Sequence, residues 1–226
     1  MSYESLQSIV LRRPPAVPER NEERNSVLWL TLISTMGGMA CYQTDGLTVS
    51  GSTGRGRGLL SAAAEHGQLH VVQRLLNRGE SSAITDEDGW TPLNSAASRG
   101  HYKVVKLLLD SGADLTVSTD NGWTPLHAAG SNGHLDVVKL LLQYGVDVNI
   151  QDEKEWTSLS VAAEYGHQEV VKLLLGNGAD PNIQTENGYT PLSIATKAGF
   201  KEVAKVLLDN GARLDTSPTT TSTTST

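Results

Sequence analysis

Cysteine is almost missing from this chain. Cys41 stands alone among 226 residues, which excludes an intrachain disulfide framework and a cysteine-rich zinc site. Asn-x-Ser/Thr sequons are absent as well. Both absences point to a reducing setting, the cytoplasm first and the nucleus second. Positive charge is in deficit: 18 Lys and Arg against 25 Asp and Glu give a formal net charge of −7 and a pI near 5.3. A nucleic-acid-binding face needs the opposite balance, so no nucleic-acid partner is expected. Long apolar runs are lacking too. The one run of note in the N-terminal quarter is 27–42, VLWLTLISTMGGMACY, shorter than the roughly 20 residues that span a bilayer and broken by Gly37 and Gly38. It reads as a short helix or strand capping the residues C-terminal to it, with a membrane anchor as the alternative. The residues before it mix Arg12, Arg13, Arg20 and Arg24 with Glu4, Glu19, Glu22 and Glu23, a poor composition for a cleaved signal peptide.

What the chain has is repetition. Residues 88–120, 121–153, 154–186 and 187–219 align without gaps, and a weaker copy, 55–87, precedes them in the same frame. One glycine recurs as Gly67, Gly100, Gly133, Gly166 and Gly199, and another as Gly79, Gly112, Gly145, Gly178 and Gly211. Between them a leucine pair recurs as Leu75-Leu76, Leu108-Leu109, Leu141-Leu142, Leu174-Leu175 and Leu207-Leu208. A fixed period over most of a chain specifies a stack of similar units, which offers a long surface suited to binding rather than chemistry.

Residues 88–120 predict how one unit folds. Thr91 caps a helix and Pro92 occupies its first position, where a missing N–H costs nothing. Leu93, Ala96 and Ala97 share one helical face, and the small alanines admit a close neighbour. Gly100 ends this helix. A second helix carries Val104, Val105, Leu107, Leu108 and Leu109, and Gly112 closes it. The polar stretch 113–122, ending in Asn-Gly, reads as a hairpin-like loop. Helices this short are marginal alone, so each unit must bury its apolar face against the next. Five units exceed the roughly three that independent stability requires.

Thr-Pro-Leu-His-Ala-Ala at 124–129, followed by Gly133-His134 and Leu140 to Leu142, resembles the ankyrin repeat, and the resemblance covers 55–219. It implies an all-α fold, an ankyrin-repeat α-solenoid with projecting β-hairpin loops. Residues 1–54 then form an N-terminal segment of unknown fold, partly disordered, and 220–226 a disordered Ser/Thr tail. The resemblance also implies a non-catalytic protein that binds another protein through a concave face of hairpin tips and first helices. An adaptor or scaffold is the expected role, as a monomer without cofactor or metal. A membrane-tethered scaffold through 27–42, or a regulatory module of a larger multi-domain protein, are the alternatives. The first unit has Gly58-Leu59-Leu60 in place of Thr-Pro-Leu, as an N-terminal cap would. The fourth has Glu155 for the hairpin glycine and Ser158 for the proline, which puts its turn geometry in question. In the fifth, Phe200 and Ala204 replace the usual His and Val.

The residue before each Thr-Pro-Leu is Trp90, Trp123, Trp156 or Tyr189. In the resembled family this position faces the groove, and aromatic anchors are enriched among binding hot spots; packing on the neighbouring hairpin is the competing role. The tips are acidic, at Asp86-Glu87-Asp88, Asp120, Asp152-Glu153 with Glu155, and Glu186, whereas most lysines lie on second helices. Asp88, Asp120, Glu153 and Glu186 are therefore expected to supply charge for a partner segment of basic or mixed charge. The first-helix ends, with Arg99, Asn132 and Tyr165, complete the expected floor.

His101, His134 and His167 stand one unit apart, too far to share a metal ion, and read as structural groups bonding loop backbone; His127 reads the same way. The stretch 51–58, GSTGRGRG, lacks the Gly-Lys-Ser/Thr ending of a phosphate loop. No Ser/His/Asp or Cys/His set is apparent. Ser217-Pro218 in the tail is a candidate site for a proline-directed kinase.

Overall fold

The structure, a computed structural model, describes residues 40–44, 47–51 and 58–214. The apolar run therefore lies outside the described residues except for its end, and so do the glycine-rich 52–57 and the Ser/Thr tail. Ala40–Thr44 (β1) and Leu47–Gly51 (β2) pair antiparallel, with Tyr42 opposite Val49.

Ten helices follow among the described residues, two per repeat. The first helices are Leu59–Glu65 (α1), Pro92–Ser98 (α3), Pro125–Ser131 (α5), Ser158–Glu164 (α7) and Pro191–Ala198 (α9). The second are Leu69–Asn77 (α2), Tyr102–Asp110 (α4), Leu135–Gln143 (α6), Gln168–Gly176 (α8) and Lys201–Asp209 (α10). Each first helix packs on the first helices of adjacent repeats and on its own second helix, and the second helices form a parallel layer of contacts. Strand β2 lies against α1.

The predicted unit is the observed one. Thr91, Thr157 and Thr190 accept the backbone N–H of Asn94, Ser160 and Ser193 through their side chains, satisfying donors that the first turn leaves free. Gly100 and Gly133 take left-handed φ of 72° and 70°. There Gly100 N–H donates to the Ala97 carbonyl and His101 N–H to that of Ala96, a Schellman ending that only glycine adopts cheaply. Leu93, Leu126, Leu159 and Leu192 with Ala96, Ala129, Ala162 and Ala195 form one buried layer; Val105, Val138, Val171 and Leu108, Leu141, Leu174, Leu207 form the other.

The three recurring histidines join repeats. Nε2 of His101, His134 and His167 lies 2.8, 3.0 and 2.9 Å from the carbonyls of Glu65, Ser98 and Ser131, each at the end of the preceding first helix. This is the structural role the sequence suggested. Phe200, at the same position, has no ring nitrogen to offer.

His127 is wholly buried. Its Nδ1 accepts the Thr124 backbone N–H, which leaves Nε2–H to donate to the Trp156 carbonyl at 3.0 Å. Burial pushes its pKa below the ordinary value, outweighing the upward pull of the Trp156 carbonyl and of Asp152. A folded-state pKa below 6.5 means that the unfolded chain takes up the proton first as pH falls. This group's contribution to stability is thus complete above the unfolded pKa and is lost as pH drops from about 6.5 toward the folded value; each tenfold difference in proton affinity between the two states is worth about 1.4 kcal/mol. Asn94 makes the corresponding bond to the Trp123 carbonyl at 3.2 Å without a titrating group. Urea midpoints at pH 7.5 and 5.5 are expected to differ more for the native chain than for His127→Asn; equal pH sensitivity would contradict this role.

Candidate protein-interaction face

Four turns connect the repeats, and each is closed by two backbone bonds. In the first, Gly89 N–H donates to the Asp86 carbonyl and Asp86 N–H to the Trp90 carbonyl, both at 3.0 Å. The turns at Thr119–Trp123, Asp152–Trp156 and Thr185–Tyr189 repeat this pattern. The hairpins are this short: one isolated bridge, Gln151 with Thr157, is their only strand-like pairing among the described residues. The fourth repeat's turn keeps its geometry without glycine, because Glu155 itself adopts φ 61°.

The turns also bond to one another. Asp120 N–H donates to the Asp88 carbonyl, Glu153 N–H to that of Asn121 and Glu186 N–H to that of Lys154, at 3.2, 3.3 and 3.0 Å. This ladder fixes the register of the acidic row. Asp120, Glu153 and Glu186 stand in line, and the residue that continues the line is Glu87, not Asp88, which is one place out of step. All five are exposed.

Two of the tip carboxylates belong to the framework instead. Asp86 Oδ1 accepts the N–H groups of Asp88 and Trp90 at 3.1 and 2.8 Å, and Asp152 Oδ1 those of Lys154 and Trp156, both at 2.8 Å. Thr119 and Thr185 hydroxyls take the same place, accepting from Trp123 and Tyr189 N–H at 3.1 and 3.2 Å. A carboxylate turned into its own loop offers little to a partner. The second helices are likewise less basic than a count of lysines suggests: Lys106 pairs with Asp110 and Lys172 with Glu169.

The four aromatics share a backbone position but not a role. Trp123 Nε1 donates to Asp152 Oδ2 of the next repeat at 3.0 Å, and its ring stacks near His127 with centroids 6.3 Å apart. It is tied into the stack. The register equivalents of Asp152 for Trp90 and Trp156 are Thr119 and Thr185, and among the described residues Trp123 is the one indole bonded to a carboxylate. The rings of Trp90 and Trp156 are half-buried, while Tyr189 is 41% exposed with Lys197 Nζ 4.9 Å from its ring centroid.

Trp90 and Arg99 come together with Glu65, Ser95 and Ser98 around an open cleft of about 240 Å³. Arg99 Nη2 meets Glu65 Oε1 at 2.8 Å. Glu153 lines a second cleft, about 350 Å³, with Thr119, Gly122 and Asp152 between neighbouring loops. Asn132 Nδ2 donates to the Ala128 carbonyl at 3.0 Å, and Tyr165, 53% exposed, stands beside His167. No three His, Cys, Asp or Glu side chains among the described residues are placed to hold a metal ion.

Turn, helix, loop and helix, repeated with caps and ladders in register, decide the family. A family model of ankyrin repeats in three copies matches residues 37–119, 59–152, 116–185 and 150–218. The chain belongs to the ankyrin-repeat family. No curated protein matches it. Ankyrin repeats are generally protein–protein interaction modules, and in a stack whose units touch only their neighbours surface residues can vary while the fold persists. Among the described residues no helix is long and apolar enough to cross a membrane.

Proposed function

We propose that this ankyrin-repeat protein is a non-catalytic adaptor that holds a partner protein against the face made of its turns and first-helix ends. The observation that carries the reading is the aromatic row. Trp90, Trp123, Trp156 and Tyr189 recur at one position, beside exposed Asp88, Asp120, Glu153 and Glu186. Arg99, Asn132 and Tyr165 vary at the adjoining helix ends. Amphipathic rings flanked by fixed acidic groups suit a partner segment of basic or mixed charge. Trp90 and Trp156 are the expected anchors, because Trp123 is already bound within the stack. A single cysteine fits work in a reducing compartment, the cytoplasm or nucleus.

A lysate pull-down with the full chain tests this, beside a Trp90→Ala, Trp156→Ala, Tyr189→Ala variant that circular dichroism shows to be folded. A protein retained by the native chain and lost from the folded variant is the expected result. Equal retention would move the binding site to another surface.

A further inference from the structure

Position 65 and its equivalents, at the last turn of each first helix, read Glu65, Ser98, Ser131, Glu164 and Lys197. The following position reads Arg99, Asn132, Tyr165 and Ala198 from the second repeat onward. Along these two rows the chain twice supplies a cation of its own. Arg99 reaches back one repeat to Glu65 at 2.8 Å. Lys197 Nζ sits over the Tyr189 ring at 4.9 Å, eight positions along from an aromatic at the base of a turn.

The fourth repeat has both halves of these pairings and, among the described residues, no cation that fills them. Trp156 and Glu164 have the same spacing as Tyr189 and Lys197, on a turn and helix with the same cap. Glu164 is the register equivalent of Glu65, but the residue that would answer it as Arg99 does is Ala198. Glu164 is exposed and has no ion pair or hydrogen bond among the described residues. Lys197, one repeat on, is held over Tyr189 instead. Trp156 is fixed from both sides, its N–H on Asp152 and its carbonyl on His127, and the exposed Tyr165 adjoins Glu164.

From this we infer that the fourth repeat binds a cationic side chain of the partner, which lies on the Trp156 ring and pairs with the Glu164 carboxylate. Arginine fits best, since a planar guanidinium stacks on an indole and still offers two N–H groups to a carboxylate. The inference rests on the adaptor reading and deepens it: the partner segment presents an arginine to this repeat.

The test titrates isotope-labelled full-length protein with N-acetyl-arginine methylamide and follows amide and indole resonances. Saturable shifts at the Trp156 indole N–H and at 164–165 are expected. The neutral citrulline analogue should produce none. Glu164→Gln should weaken binding about threefold, the size of one exposed ion-pair contact. Ala198→Arg should weaken it as much while removing no group of the site, because the chain's own guanidinium would then occupy Glu164 as Arg99 occupies Glu65. No saturable shift at Trp156, an equal response to citrulline, or unchanged binding in either variant overturns the inference. A partner that is lost on the aromatic triple substitution but retained by both Glu164→Gln and Ala198→Arg would leave the adaptor reading standing and remove this one.

Discussion

Gly133→Ala is expected to lower the stability of the stack by about 3 kcal/mol, whereas Gly199→Ala, at the same position two repeats on, costs about 1. Both glycines adopt left-handed φ, 70° and 84°, so both substitutions carry the strain of a side chain in that region. Their surroundings differ. A Cβ on Gly133 would stand 2.6 Å from Nδ1 and 2.8 Å from Cε1 of His167, while one on Gly199 would meet nothing within 4 Å. The His167 ring would have to leave, and with it the bond from Nε2 to the Ser131 carbonyl. The lost bond and the disturbed packing add about 2 kcal/mol to the strain. Urea unfolding of both variants beside the native chain measures the difference. Equal losses would show that the histidine bridges contribute nothing to cohesion between repeats.

The second large effect runs the other way. Ser158→Pro with Glu155→Gly is expected to stabilise the protein by about 2 kcal/mol, roughly half from each change. Ser158 opens α7 where Pro92, Pro125 and Pro191 open the corresponding helices. It is fully buried and its hydroxyl has no partner among the described residues, an arrangement that costs free energy. Thr157 before it is extended, at φ −98° and ψ 162°, which suits the residue preceding a proline. Space is available as well. The residue packed on Ser158 is Gly130, where the register elsewhere places Ala64, Ala97 and Ala163. Glu155→Gly relieves the one positive φ outside glycine among the described residues. A thermal or urea midpoint that falls in the double variant would contradict this account of the fourth repeat.

These two cases mark what was legible in the sequence. The helix starts at Thr91, Thr124, Thr157 and Thr190, repeated four times, and the glycine endings and buried leucine and alanine positions, repeated five times, all came from local chemistry. The structural role of His101, His134 and His167 was legible for the same reason. What the repeat pattern hid were contacts between columns. Asp86 and Asp152 look like tip charges until their bonds to the Trp90 and Trp156 N–H groups are seen. Trp123 looks equal to Trp90 until its indole is found on Asp152, 29 positions away. The alternation of Asp86, Thr119, Asp152 and Thr185 carried that signal, because only one of the three tryptophans faces a carboxylate. Arg99 with Glu65 and Lys197 with Tyr189 were hidden likewise, one joining neighbouring repeats and the other a turn to its helix end. Glu87, not Asp88, continues the acidic row, a one-residue register that the turn-to-turn ladder reveals.

The central claim is that a partner lies along the turns and first-helix ends. Hydrogen exchange of the protein with and without the partner recovered by pull-down tests it most directly. The account predicts slowed exchange within 86–99, 119–132 and 152–165, with the second helices Tyr102–Asp110, Leu135–Gln143 and Gln168–Gly176 unchanged. Protection confined to those second helices, where Tyr102, Asp136 and Lys139 line a cleft of their own, would place the partner on the other layer and contradict it.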